Sequence, residues 1–200
     1  PAASLAAPLI NRTLSSRLGV LSARAGGIDP RRSMPHFASR ADRRVLRELT
    51  PLSPEADTVL FVDSFTKAFR PQVATAAAIV VGGTGQRVGC TQDLCCGLTW
   101  ISTGQREHAR KVLSHTTDLL DDGTDRPIVV VEPSCAAALR TDLPELLDTP
   151  AARRVARRVR SFAAHLTDLV DQFVLSFEVG HAKPDLAVFH AATTDNSLSA

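Results

Sequence analysis

Short apolar runs separated by helical stretches constrain this chain more than any other feature. Val59, Leu60, Phe61 and Val62 form one run, entered from Thr58 and closed by Asp63 and Ser64. Ile128, Val129, Val130 and Val131 form a second, and Arg87-Val88-Gly89-Cys90 is a weaker one between them. Apolar runs without alternation mark strands buried on both faces, the condition of a parallel sheet. Between the runs the period changes. Pro71 suits the first position of a helix over residues 73–81, which Gly82, Gly83 and Gly85 stop. Ser102 and Gln105 have the spacing of a capping box for a helix whose inner face is Ala109, Val112, Leu113, Thr116, Leu119 and Leu120. Ser134 is the expected cap of a third helix, with Ala138, Leu139, Leu143, Leu146 and Leu147 inward and Pro144 kinking or ending it. Strands and helices in this alternation predict a three-layer α/β unit with a parallel sheet and right-handed crossovers.

The flanks are different. Leu5, Leu9, Leu14, Leu18 and Leu21 suggest one helix ended by Gly26 and Gly27. Residues 28–47 hold Pro30, Pro35 and six arginines with little to bury, and read as a linker or an arm wrapping a neighbour. Residues 151–171 carry the cleanest helical pattern, through Val155, Val159, Phe162, Leu166, Leu169 and Val170. Arg153, Arg154, Arg157, Arg158 and Arg160 lie opposite and are expected to be solvated rather than to bind a membrane or nucleic acid. The division is therefore an irregular arm over 1–57, an α/β domain over 58–150, and an amphipathic helix with an incomplete extension over 151–200.

Lys and Arg number 23 against 21 Asp and Glu, a formal charge of +2 that argues for no nucleic-acid partner. Aromatic residues make up 4%, too few for a base-stacking platform. No apolar run approaches the roughly 20 residues of a membrane span. The chain starts at Pro1 without the basic-then-apolar order of a signal peptide, and reads as a piece of something longer. Four cysteines are too few for a disulfide scaffold; clustered and without a secretion signal, they point to a cytosolic metal or redox site.

Three of those cysteines fall in the stretch Cys90-Thr91-Gln92-Asp93-Leu94-Cys95-Cys96-Gly97, and Cys135 follows the third apolar run. In a parallel sheet the C-terminal ends of the strands share one edge, where ligands bind. That topology brings Ser64, Cys95, Cys96 and Cys135 together. Cys135, near the start of a helix, is placed for a stabilised thiolate, and only thiolates ligate iron or zinc. Gly97 lets the backbone approach a bulky group and offers its N–H to a sulfur. Cys95, Cys96 and Cys135 are candidate metal ligands, and Cys90 is a further one outside the tight group. Other readings stay open: buried thiols acting as small hydrophobes, a structural zinc in a binding module, or a thiol–disulfide switch between Cys95 or Cys96 and Cys135. Gly83-Thr84-Gly85 lacks the third glycine of a dinucleotide loop, and His108, His115, His165, His181 and His190 are too scattered to form a metal pair. Ser102, His108 and Asp118 share a helix or its cap and cannot converge as a hydrolase triad. Trp100 reads as a lid over apolar surface.

Cys95-Cys96-Gly97-Leu98, Ser102-Thr103-Gly104 with its helix, and Glu132-Pro133-Ser134-Cys135 together resemble the cysteine-rich CCG domain. That domain occurs in iron–sulfur subunits of glycolate oxidase, anaerobic glycerol-3-phosphate dehydrogenase and heterodisulfide reductase. Leu139, Arg140 and residues 143–146 make the chain similar to a further branch, in which the domain ends an FAD-linked oxidase of the D-lactate dehydrogenase type. The likeness spans residues 59–147. It implies an iron–sulfur cluster of the 4Fe-4S type at Cys95, Cys96 and Cys135, with FAD on a part of the parent upstream. It further implies electron transfer in the oxidation of a 2-hydroxy acid such as lactate or glycolate, with no catalytic residue in this chain and a fragment that is not catalytically complete. Implied partners are the flavin and ferredoxin-like domains of that parent, in the cytoplasm, with peripheral attachment to a membrane through the parent complex. Family members carry two copies of the motif and this chain has one. Asp63-Ser64 stands where many have a cysteine, and Val188-Phe189-His190-Ala191-Ala192 stands where a His-Cys-His segment opens the second copy.

Overall fold

The computed structural model describes residues 2–29, 31 and 35–168. Leu169, Val170, His181, His190 and the extension after Phe173 lie outside them. The chain divides after Phe162, and the first unit holds the sheet.

Four parallel strands form that sheet in the order β2-β1-β3-β4: β1 (Thr58–Phe61), β2 (Val88–Cys90), β3 (Ile128–Val130) and β4 (Val159–Ser161). Leu60 stands beside Cys90 on one side and Val129 on the other, so β1 is paired across its whole length. Alternation along β1 divides the core in two. Val59 and Phe61 pack with Leu113, Ile128, Val130, Leu139 and Val155 on one face. Leu60 and Val62 pack with Leu49, Ala74, Ala77, Cys90 and Val129 on the other. Helices cover both faces, as the apolar runs require: α3 (Ser64–Phe69), α4 (Pro71–Gly83), α5 (Leu98–Ser102), α6 (Arg106–Leu120), α7 (Pro133–Ala137), α8 (Leu143–Leu147) and α9 (Pro150–Arg158).

The single N-terminal helix expected from the leucines is two, α1 (Ala2–Leu14) and α2 (Arg17–Ala25). Ser16 breaks it. Its backbone is extended, its hydroxyl donates to Thr13 O at 2.6 Å and accepts from Gly19 N, which starts the second helix. The segment that follows is not a free linker but is tied to its own chain. Asn11 exchanges two hydrogen bonds with the Phe37 backbone, and Ala38 N donates to Ala68 O at 2.7 Å. A 3-10 turn, Asp42–Arg47, leads to Leu49 in the second core layer.

Two other expectations are corrected, and a third, left between two outcomes, is decided. Ser102 ends α5 instead of capping α6, and Gln105 turns to the Thr103 hydroxyl. On α6, Thr117 is buried with its hydroxyl on Leu113 O, while Leu119 is half exposed. Pro144 kinks its helix without ending it: a wide π turn over Ala138–Asp142 joins α7 to α8 and spares the ring its clash with the preceding turn.

The helix expected over 151–171 is the largest departure. It stops at Arg158, gives three residues to β4, and resumes as α10 (Phe162–Thr167). Val159 and Phe162 satisfy a helical period, but the open edge of β3 offers unpaired backbone groups that Val159, Arg160 and Ser161 satisfy in register. Arg158 also leaves the solvated face. It is 7% exposed, donates to Leu120 O at 2.6 Å and Arg126 O at 2.9 Å, and pairs with Asp122 at 3.1 Å. One guanidinium thereby holds the end of α6 and the entry to β3.

Truncating that guanidinium leaves buried carbonyls and a carboxylate unpaired. Arg158→Leu is expected to lower stability by about 3 kcal/mol in urea unfolding, whereas Arg157→Leu at an exposed position changes it by less than about 0.5 kcal/mol.

Candidate functional site

Three chain segments leave the C-terminal edge of the sheet and form the site. Past β1, Asp63 is 2% exposed and caps α3, accepting from Thr66 N at 2.9 Å and from the Thr66 hydroxyl at 2.5 Å. This puts Ser64 at the first position of the helix, facing the edge. Past β3, the cap of α7 is Glu132 and not Ser134. Pro133 takes the first helical position, and the Glu132 carboxylate folds back to accept from Ser134 N at 3.3 Å and Ser134 Oγ at 2.7 Å. Cys135 follows, buried on the first turn.

The loop past β2 brings the other thiols. Val62 N donates to Thr91 Oγ1 at 3.0 Å and Thr91 N to Leu60 O at 2.9 Å, so the loop starts bound to β1. Thr116 of α6 reaches across to Cys95 O at 2.9 Å and fixes its far end. Gly97 then reverses the chain at φ 74°, against Leu113: a Cβ on it would stand 3.1 Å from Leu113 Cγ. Only glycine meets both demands at once.

The sulfurs of Cys96 and Cys135 are 2.8 Å apart, inside van der Waals contact but not bonded. Gly97 N donates to Cys95 Sγ at 3.5 Å, and the Ser64 hydroxyl borders the same cavity. Cys95, Cys96, Cys135, Ser64 and Glu132 border one cavity of ≈ 430 Å³. Its walls are largely apolar, and this sets the charge of the thiols. The Cys96 thiol is pushed up to about 11, chiefly by its hydrogen bond to Cys135 and then by burial. Cys95 is raised further by its hydrogen bond to Cys96 and by burial, against the lowering effect of the Gly97 and Ser64 donors. At neutral pH the Cys95 and Cys96 thiols are therefore held protonated, and a cation must displace their protons to bind.

Cys90 is not brought to this group. It lies beside Leu60 in the sheet register and shares that residue's face, in the layer opposite Cys96 and Cys135. Burial alone raises its thiol to about 11. Trp100 does not cover the cysteines; its ring packs on His108 with centroids 4.0 Å apart. Ser64 joined the candidate group through topology, but Glu132 and Thr116 did not. The only trace of Glu132 was its place in the Glu132-Pro133-Ser134-Cys135 motif, and Thr116 carried no signal beyond its position on the inner face of α6.

Among the described residues, no three His, Cys, Asp or Glu side chains are arranged to close on one metal ion. The thiols instead line one wall of a cavity several ångströms across. Three cysteine sulfurs beside one apolar-walled cavity are the donor chemistry of an iron–sulfur cluster, and Cys96 and Cys135, in contact at 2.8 Å, would have to move apart to ligate separate irons.

Residues 62–140 match the family model of the CCG cysteine-rich domain. The chain is similar to a subunit of the anaerobic glycerol-3-phosphate dehydrogenase of Escherichia coli K12, and equally to its counterpart in Escherichia coli O157:H7. Each is 26% identical over 149 residues, which cover 71% of this chain. The chain spans 38% of the length of those relatives. No solved structure matches. Among the described residues no helix is long and apolar enough to cross a membrane.

Two outcomes follow from the geometry. Mild oxidation of the iron-free chain with glutathione disulfide is expected to link Cys96 to Cys135 and leave Cys90 and Cys95 alkylatable, as peptide mapping by mass spectrometry reports. Gly97→Ala is expected to destabilise the chain by about 1 kcal/mol more than Gly123→Ala, because both have positive φ but only Gly97 meets a side chain.

Proposed function

We propose that this CCG-domain chain is the iron–sulfur electron-transfer portion of a flavin-linked dehydrogenase. The observation that carries the reading is the convergence of Cys95, Cys96 and Cys135 on one apolar-walled cavity at the edge where the parallel strands end. The similarity to a component of a dehydrogenase supports it independently.

A bound cluster supplies one-electron transfer from the flavin of the parent protein. The chain's own residues supply the rest. Cys95, Cys96 and Cys135, once deprotonated, would be the thiolates that hold a cluster, which we assign to the 4Fe-4S type. Gly97 N, which donates to Cys95 Sγ, and the nearby Ser64 hydroxyl favour negative charge on that sulfur. Leu94, Leu113 and Leu98 keep water from the buried side, which strengthens each of these hydrogen bonds.

The substrate belongs to the parent. We assign it to the 2-hydroxy acids, such as lactate or glycolate, or to a phosphorylated alcohol of the kind named for the relatives. Both are alcohols beside an acidic group that give up two electrons to a flavin. Flavin and ferredoxin-like domains are the proposed partners, in the cytoplasm, with any membrane attachment made through the parent complex. A second reading rests on the Cys96–Cys135 contact, which suits a thiol–disulfide pair in the iron-free state.

Anaerobic loading with iron and sulfide, followed by metal and sulfide analysis, tests the first reading. Loading is expected for the native chain and Cys90→Ser, with loss of most bound iron in Cys95→Ser, Cys96→Ser and Cys135→Ser. A colourless native chain without iron overturns it. Loading is also expected to strengthen with pH. The Cys96 thiol holds its proton up to about 11. Below that value its thiolate fraction grows about tenfold per pH unit, so binding at limiting iron rises between about pH 6 and 8.

A further inference from the structure

A second cavity of ≈ 280 Å³ opens at the same end of the sheet, and it shares no lining residue with the thiol cavity. Arg43 and Arg47 come to it from the 3-10 turn, Lys67 from α3, and Gln92 and Asp93 from the loop past β2. Cys90 contributes to its lining.

The charges here do not balance. The Lys67 side chain is 14% exposed, and its ion-pair partner, Asp93, lies 3.6 Å away with its own side chain fully in solvent. Water screens an exposed carboxylate, so this pair compensates the buried ammonium weakly. Desolvation lowers the proton affinity of Lys67, and the charge of Arg43 lowers it further; Asp93 and Asp63 oppose them. Asp63 is committed elsewhere, since both of its oxygens accept from Thr66. Among the described residues, neither Arg43 nor Arg47 makes a side-chain hydrogen bond or ion pair. A half-buried ammonium and two guanidinium groups thus border one small cavity, with donors that lack acceptors.

We propose that this cavity binds a small oxyanion, a phosphate or carboxylate group held by Arg43, Arg47 and Lys67, with Gln92 as a neutral donor. Guanidinium groups suit the purpose because their paired N–H donors match the oxygens of either group. At ≈ 280 Å³ the cavity has room for a group of phosphate size. The assignment is independent of the cluster, and its test needs no iron.

The probe is inorganic phosphate, and the readout is thermal unfolding of the iron-free full chain against sodium chloride of matched ionic strength. A saturable rise in Tm with phosphate is expected. Arg47→Gln, at an exposed position, should unfold as the native chain does in chloride and bind phosphate about tenfold more weakly. Arg43→Gln combined with Arg47→Gln should abolish the response. Phosphate also stabilises proteins generally by exclusion from their surfaces, and that effect persists in the variants. A rise of equal size in native and double variant, or no saturable rise, overturns the proposal. Flotation with phosphatidylglycerol vesicles separates free from lipid phosphate: capture by vesicles without a response to inorganic phosphate assigns the basic groups to a membrane surface and overturns the small-anion site.

Discussion

Pairing of β1 on both sides is the constraint on which the rest of this structure depends. Because Thr58–Phe61 is bonded to β2 and β3 at once, its side chains have no solvent face and must alternate between two cores. The same pairing settles which cysteines meet. Cys90 lies in register with Leu60 and inherits that residue's layer, while the chain past β2 and past β3 returns Cys96 and Cys135 to the layer of Phe61. A chemical grouping of residues 39 positions apart is thus a consequence of backbone hydrogen bonding. The strand order also reverses at β1, with β2 on one side and β3 on the other, and open α/β sheets hold ligands at such a point.

The thiol cavity and the basic cavity divide the electrostatics of that edge between them. Apolar walls and mutual hydrogen bonding keep Cys95 and Cys96 neutral until a cation displaces their protons. On the other side of α3, Lys67 and two arginines carry positive charge with little to offset it. Residues of one short helix, Ser64 and Lys67, face the two environments, so α3 separates the thiol cavity from a charged one.

The strands at the centre of the sheet were legible because nothing competes with an unbroken apolar run: residues 58–61 and 128–130 are strands on any account of burial. The grouping of Cys95, Cys96 and Cys135 was legible for the same reason, since it needs only parallel topology. Local rules failed where tertiary partners decided the matter. Val155, Val159 and Phe162 keep helical spacing, yet the edge of β3 drew Val159–Ser161 into the sheet, an outcome that no period within the segment can encode. Arg158 looked like its arginine neighbours until Leu120 O, Arg126 O and Asp122 were placed around it. Ser102 and Ser134 had the composition of caps, but Gln105 and Glu132 occupy those positions because Gly104 and Pro133 shift where each helix can begin. Family likeness identified the cysteine motif, and no part of that likeness pointed to Arg43, Arg47 and Lys67.

The stretch before β1 has a role beyond filling the second core layer. Cys90 N donates to Thr50 O at 2.8 Å and Leu52 N donates to Cys90 O at 3.1 Å, with Pro51 bridged to Cys90 between them. The outer rim of β2 is therefore occupied at Cys90, by a residue with no N–H to pass the pairing on. A chain from another molecule cannot pair at Cys90. Pro51 acts as a guard against edge-to-edge aggregation, so that the weakest strand of the sheet, and the cysteine loop that hangs from it, are shielded from strand exchange with another molecule.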